Sequence, residues 1–403
     1  MFEIREKPEM VERAMLVSIY FDPSEAGEKQ AMLDELEDLV SNLGIGIAGK
    51  HLVKSRDMHA KFLCGTGKAQ EVKQLALDCR ADCVVFDNML SPSQQREWER
   101  LVDECVIDRE EVILDIFARR ARTREATLQV ELARMQYSLP RMARMWNHLD
   151  RQGGGSGGGK GGGGAARGEG EKQIEVDRRL ARARIEAIQR ELVLVTRQRA
   201  TQRKERERQA VATAAIVGYT NAGKSSLLSL VSGSEVMARD MLFATLDTTT
   251  RKIELPHGQP LLLTDTVGFI RNLPHRLVEA FKSTLEEAVL ADFLIQVVDA
   301  SDPEAVRHYE TTLEVLNELG AGDKPMIVVL NKADLVPEER RGALETLLAP
   351  HFSGRVVPMS VKEGNGEGDL LNACVEMLES RVRRARFLIP YTLSLIHISE
   401  PTR

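Results

Sequence analysis

The chain has 403 residues, 43% hydrophobic and 29% charged, with 55 Lys+Arg against 61 Asp+Glu and a net charge of −6. That length predicts two or three domains, the acidic balance excludes a wholly basic nucleic-acid binder, and no apolar run reaches the ~18–20 residues of a membrane span. The charged start, Met1-Phe2-Glu3-Ile4-Arg5-Glu6-Lys7, has no apolar signal core. The scattered Cys64, Cys79, Cys83, Cys105 and Cys374 read as reduced thiols. The expectation is a cytoplasmic monomer without stable membrane insertion, with partial membrane association left open. The average charge hides an asymmetry. Residues 119–210 carry 22 Lys+Arg against 11 Asp+Glu, a net +11, which leaves −17 for the rest. A basic module in an acidic chain suggests a surface for an anionic partner.

Residues 1–118 alternate strand-like stretches (14–20, 82–87) with amphipathic helices (28–43, 68–78), which predicts a small α/β domain. Gly65-Thr66-Gly67-Lys68 lacks the full phosphate-loop spacing and reads first as a glycine turn before a helix. Residues 119–209 predict a basic antiparallel helical hairpin. Its first seam is Leu128, Leu132, Met135, Leu139, Met142, Trp146 and Leu149, with a kink expected at Pro140. Its second is Ala181, Ile185, Ile188, Leu192 and Val195. Between them a glycine-rich tip, residues 151–170, has few side chains to bury and a high ordering entropy.

Residues 210–385 alternate strands (211–217, 261–265, 293–299, 326–331, 355–360) with helices, the pattern of a mostly parallel sheet. Residues 386–392 read as the start of a truncated C-terminal domain. Residues 393–403 resemble the translation of a transposase adapter and are expected to be an artefact.

Chemistry concentrates in the third region. Gly218, Tyr219, Thr220, Asn221, Ala222, Gly223, Lys224 and Ser225 fit the phosphate-loop spacing, after a strand and before a helix. Glycines let backbone N–H groups approach phosphate oxygens. Lys224 is expected to neutralise β- and γ-phosphates and Ser225 to ligate Mg²⁺. Asp265, Thr266, Val267 and Gly268 end an apolar strand, with Asp265 aimed at the Mg²⁺ shell and the Gly268 N–H at the γ-phosphate. Asn331, Lys332, Ala333 and Asp334 close another. Asp334 can accept from guanine N1–H and the 2-amino group, which adenine cannot offer in that geometry. Ser360, Val361 and Lys362 are expected to give an N–H to guanine O6. A switch is expected at Phe243, Ala244, Thr245, Leu246 and Asp247, with Thr245 reaching Mg²⁺ and Thr248, Thr249 and Thr250 as rivals. The catalytic set is then Lys224, Thr245 and Gly268, the metal ligands Ser225 and Thr245, and the ligand GTP or GDP with Mg²⁺. Phe269 stands where many switch GTPases carry a water-orienting glutamine.

With these motifs, Leu114-Asp115-Ile116-Phe117-Ala118, Leu128-Gln129-Val130-Glu131-Leu132-Ala133, and a glycine-rich loop followed by Asp177-Arg178-Arg179-Leu180, the chain resembles the HflX family of translational GTPases over residues 1–392. The resemblance supports Thr245 over its rivals. It implies binding to the large ribosomal subunit, with rRNA contacted by the hairpin and tip near the peptidyl-transferase centre, and splitting or rescue of stalled or idle ribosomes under stress. The unusually pure glycine loop and the missing segment after Phe387 depart from the family. The competing expectations are a GTPase that regulates a protein or membrane complex through its hairpin, and a P-loop enzyme that phosphorylates a small metabolite.

Overall fold

The computed structural model describes residues 11–144, 165–207, 211–233, 242–243, 245–246, 248–272, 282–348 and 355–379. By internal contacts the chain divides into two compact units, residues 1–198 with 273–280 and residues 199–272 with 281–403.

The first unit begins with β1 (Arg13–Tyr20), α1 (Ala26–Asn42), β2 (Gly46–Lys54), α2 (Thr66–Asp78), β3 (Cys83–Phe86), α3 (Pro92–Val102), β4 (Cys105–Asp108) and α4 (Arg109–Arg120). Its sheet is parallel, in the order β2-β1-β3-β4. The apolar runs of β1 and β3 are buried, as strands covered on both faces must be. Gly65 opens α2 without a side-chain cap, and Lys68 pairs with Glu71 at 2.6 Å, so this turn is a plain helix start. Trp98 of α3 fills the core against Phe62 and Phe86, with ring centroids 5.1 and 4.7 Å away. Ser91 and Gln94 cap α3 reciprocally, and Pro92 occupies its first turn.

The hairpin helices are α5 (Arg124–Ser138) and α6 (Ala165–Glu207). Arg124 pairs with Glu191, and Arg184 with Glu131 at 2.8 Å. The earlier residue of one helix thus meets the later residue of the other, and the two run antiparallel. Ala181 and Ile188 are buried on the second seam. Pro140 does not kink a continuing helix. The α-helix stops at Ser138 and a 3₁₀ turn, Leu139–Arg144, carries the proline. Trp146, Leu149 and residues 151–164 of the tip lie outside the described residues, and α6 already begins at Ala165 within the stretch assigned to the tip. Helix α5 also packs on α4 through a polar face that the apolar periodicity hid. The Tyr137 hydroxyl lies 3.0 Å from Asp108 Oδ1 and 3.2 Å from Glu111 Oε2. Arg141 donates to Gln95 Oε1 at 2.9 Å and to the Leu90 carbonyl at 2.7 Å.

The second unit contains β5 (Ala212–Gly218), α7 (Lys224–Ser232), β6 (Thr249–Glu254), β7 (Pro260–Asp265), α8 (Lys282–Leu290), β8 (Phe293–Asp299), α9 (Ala305–Glu318), β9 (Met326–Asn331), α10 (Glu338–Leu348), β10 (Val356–Pro358) and α11 (Glu367–Glu379). The sheet order is β10-β9-β8-β5-β7-β6, parallel except for the antiparallel edge strand β6. Ile216, Leu263, Phe293, Ile295, Ile327 and Val329 form its buried centre. Strand β10 is shorter than expected because Ser360 turns back to pair with Asn365. Strand β5 lies between β7 and β8, so the order reverses beside it. A crevice at such a switch point is where open α/β sheets hold ligands. Among the described residues no helix is long and apolar enough to cross a membrane.

Candidate nucleotide-binding site

Four loops leave the carboxyl ends of β5, β7, β9 and β10. The first winds from Gly218 to Gly223 with three residues in the left-handed half of backbone space: Gly218 (φ 144°), Asn221 (φ 60°) and Gly223 (φ 99°). A Cβ on Gly218 would lie 2.3 Å from the Val297 carbonyl oxygen, so only glycine fits. The loop delivers its chain to the N-terminus of α7. There Lys224 is buried and donates from Nζ to the Tyr219 carbonyl at 2.6 Å. Burial pushes the Lys224 ammonium down to about 8, against the opposing pull of Asp265.

Beside it sit two hydroxyls and a carboxylate. Ser225 Oγ donates to Asp265 Oδ2 at 2.7 Å, Thr245 Oγ1 donates to the same oxygen at 2.8 Å, and the two hydroxyl oxygens are 2.5 Å apart. Asp265 is buried, and among the described residues its Oδ1 has no hydrogen-bond partner. Burial raises the Asp265 carboxyl above the usual range, although Lys224, Ser225 and Thr245 pull it down. A buried acceptor without a donor, next to oxygen ligands only, suits a hard divalent cation. Of the rival threonines, Thr249 and Thr250 are strand residues of β6, and Thr250 Oγ1 meets Thr264 Oγ1 at 2.9 Å. Ala244 and Asp247 lie outside the described residues.

Phe269 is buried, and its backbone is zipped to the phosphate loop. Its N–H donates to the Gly218 carbonyl at 3.1 Å, and its carbonyl accepts from the Thr220 N–H at 2.8 Å. Gly268 is thereby pressed against that loop, where a Cβ would lie 2.9 Å from Lys224 Nζ and 3.0 Å from Thr220 Cα. Several predicted residues turn their side chains inward. Thr266 donates to the Ile216 carbonyl at 2.7 Å, and Tyr219, Phe243, Leu246 and Val267 are buried, so their backbones are what the cleft can use.

At the far end, buried Asn331 braces three loops. Its Nδ2 donates to the Ala222 carbonyl at 2.8 Å, and its Oδ1 accepts from the Val361 N–H at 3.1 Å. Ala333 N–H bonds the Met359 carbonyl at 3.1 Å, and Ser360 is buried with its hydroxyl accepting from the Glu363 N–H at 3.3 Å. Asp334 and Lys362 are exposed. Lys332 adopts φ 60°, and its ammonium pairs with Asp299 at 2.6 Å.

Residues 30–118 match a family model described as GTP-binding GTPase N-terminal, residues 120–206 one described as GTP-binding GTPase Middle Region, and residues 213–332 one described as 50S ribosome-binding GTPase. The GTPase HflX of Akkermansia muciniphila is 99% identical over 394 residues, 98% of this chain and 90% of that protein. The GTPase HflX of Escherichia coli (strain K12) is 42% identical over 380 residues, 94% of this chain and 86% of that protein. The chain belongs to the HflX family of GTPases. A solved GTP-binding protein from Sulfolobus solfataricus in complex with GDP is 23% identical, with a TM-score of 0.46, covering 92% of this chain and 100% of that one.

As an HflX GTPase, the chain binds GTP and GDP. Sequence reasoning missed Asp299, which holds Lys332, and Arg271, Glu304 and His308, which gather around Tyr219. Asp299 does end an apolar strand, a signal that pointed to it. The other three carry no local pattern.

Proposed function

We propose that this HflX GTPase is a GTP-driven switch that binds the large ribosomal subunit and splits or rescues stalled or idle ribosomes under stress. The observation that carries the reading is the division of α6. Its apolar seam is buried at Ala181 and Ile188, while Arg179, Arg182 and Arg190 are exposed. RNA bound through its backbone calls for such a cationic surface. Arg184 serves α5 instead, through Glu131. The match of residues 213–332 to a 50S ribosome-binding GTPase model supports the same partner.

In the cleft, Ser225, Thr245 and Asp265 are the residues that would hold Mg²⁺, which supplies charge stabilisation at phosphate oxygens. Lys224 neutralises the β- and γ-phosphates, and the Gly268 N–H reports whether the γ-phosphate is present. Asp334 accepts from guanine N1–H and the 2-amino group, while Asn331 keeps the base loop and phosphate loop in register. Phe269 has no group that could orient water, so alignment of the attacking water waits on an ordered switch, which a bound subunit provides.

The test is sucrose-gradient sedimentation with ribosomes. The chain should travel with large subunits in a non-hydrolysable GTP analogue and stay near the top in GDP. Failure to co-sediment in either state would contradict the proposal and favour docking of the hairpin on a protein complex.

A further inference from the structure

Tyr219 follows Gly218 in the phosphate loop, and its ring is buried. It stacks face to face on His308, one turn into α9, with ring centroids 3.7 Å apart and planes within 8°. Its hydroxyl oxygen accepts the backbone N–H of Arg271 at 2.9 Å. The Arg271 guanidinium, itself buried, donates to Glu304 Oε2 at 3.1 Å. Glu304 is the residue that precedes α9. Asp302 lies 3.6 Å from His308 Nδ1, and Arg307 lies 3.8 Å from the Glu304 carboxylate.

We propose that Tyr219 is a positioning residue for GTP hydrolysis: with Arg271, Glu304 and His308 it straps the segment after Gly268 to the phosphate loop, and so sets where the Gly268 N–H points. The backbone pairing between the two segments is short. Among the described residues it consists of the two bonds of Phe269, and Asn272 at φ 53° then leaves the extended path. The Tyr219 hydroxyl holds the chain two residues beyond Phe269. The strap extends the grip to Arg271, and α9 anchors it twice, once through the stacked ring and once through the ion pair. Core filling does not require this hydroxyl, because Phe269 already occupies the interior there.

The consequence separates the nucleotides. GTP uses the Gly268 N–H at its γ-phosphate, and GDP has no γ-phosphate to present. Loosening the strap should slow hydrolysis and leave GDP binding alone. The proposal concerns the GTPase reaction itself and does not depend on the ribosome as partner.

The experiment is single-turnover GTP hydrolysis by the full chain, with GDP affinity and thermal unfolding measured on the same preparations. Tyr219→Phe keeps the stacked ring and loses the hydroxyl. The rate at saturating GTP should fall roughly three- to tenfold, the worth of one hydrogen bond. The half-saturating GTP concentration and the GDP affinity should stay within about twofold. Glu304→Gln, at a half-exposed position, should slow hydrolysis less, and Tyr219→Phe with Glu304→Gln should be no slower than Tyr219→Phe alone, because both changes release one strap. An unchanged rate in Tyr219→Phe would overturn the proposal. So would a rate loss matched by an equal loss of GDP affinity and a lower unfolding temperature, which would make Tyr219 a packing residue only.

Discussion

At the proposed phosphate end of the cleft, Lys224 and Asp265 are both buried, and burial pushes each toward its neutral form. At the guanine end the reading group, Asp334, is exposed, and only its brace Asn331 is buried. In the proposed reading, ligand oxygens and a cation would relieve the electrostatic tension at the phosphate end. The guanine end, in the same proposed reading, presents a solvated carboxylate and would discriminate by leaving it unpaired against the wrong base. Substitutions and pH should therefore act differently at the two ends.

Gly223 joins the ends and should show the largest effect. A Cβ there would lie 2.2 Å from Asn331 Nδ2, at φ 99°. Gly223→Ala should disturb phosphate loop and base loop together and weaken GTP binding by about 3 kcal/mol, from backbone strain plus a lost buried hydrogen bond. Fluorescent-nucleotide titration checks this, and a loss confined to GTP with GDP binding untouched would break the link between the ends.

Asp334→Asn tests the guanine end alone. It should cost about 1.5–3 kcal/mol of GTP affinity and improve binding of xanthosine nucleotides, because the amide presents a donor where guanine needs an acceptor. Competition titration with the two nucleotides reads the exchange; GTP affinity equal to the parent's would remove Asp334 from base reading.

pH sharpens the phosphate end. Burial holds Lys224 at about 8 in the free protein, so the side chain is cationic below that value and loses its proton above it. Phosphate binding favours the cation and must draw a proton from solvent at higher pH. GTP affinity should fall about fourfold between pH 7 and 8.5, with proton uptake visible by calorimetry in buffers of different ionisation enthalpy. A flat profile would mean that Lys224 is already compensated. Outside the cleft, replacing Arg179, Arg182 and Arg190 by Gln should lower the salt slope of ribosome binding by up to about 3 and leave nucleotide affinity unchanged.

The same contrast governs what could be read from the sequence. Strands 293–299 and 326–331 stand where their apolar runs put them, because a strand covered on both faces is apolar over most of its length. Strand β6, Thr-Thr-Arg-Lys-Ile-Glu, escaped notice because it lies at the sheet edge with one side polar. The glycines of the phosphate loop were legible because backbone proximity leaves a residue-type signature. The contacts of Tyr219 with Arg271 and His308 join residues 52 and 89 positions apart and leave none. The buried polar contacts of Tyr137 in α5 and Arg141 in the turn after it were invisible for the related reason that apolar periodicity cannot register buried polar partners.

Single-turnover GTP hydrolysis, with and without purified large ribosomal subunits, tests the account most directly. Phe269 is buried and cannot orient water, so the isolated chain should hydrolyse GTP slowly and saturating subunits should accelerate it by about tenfold or more through positioning. Equal rates with and without subunits would contradict the claim that this GTPase is switched by the ribosome.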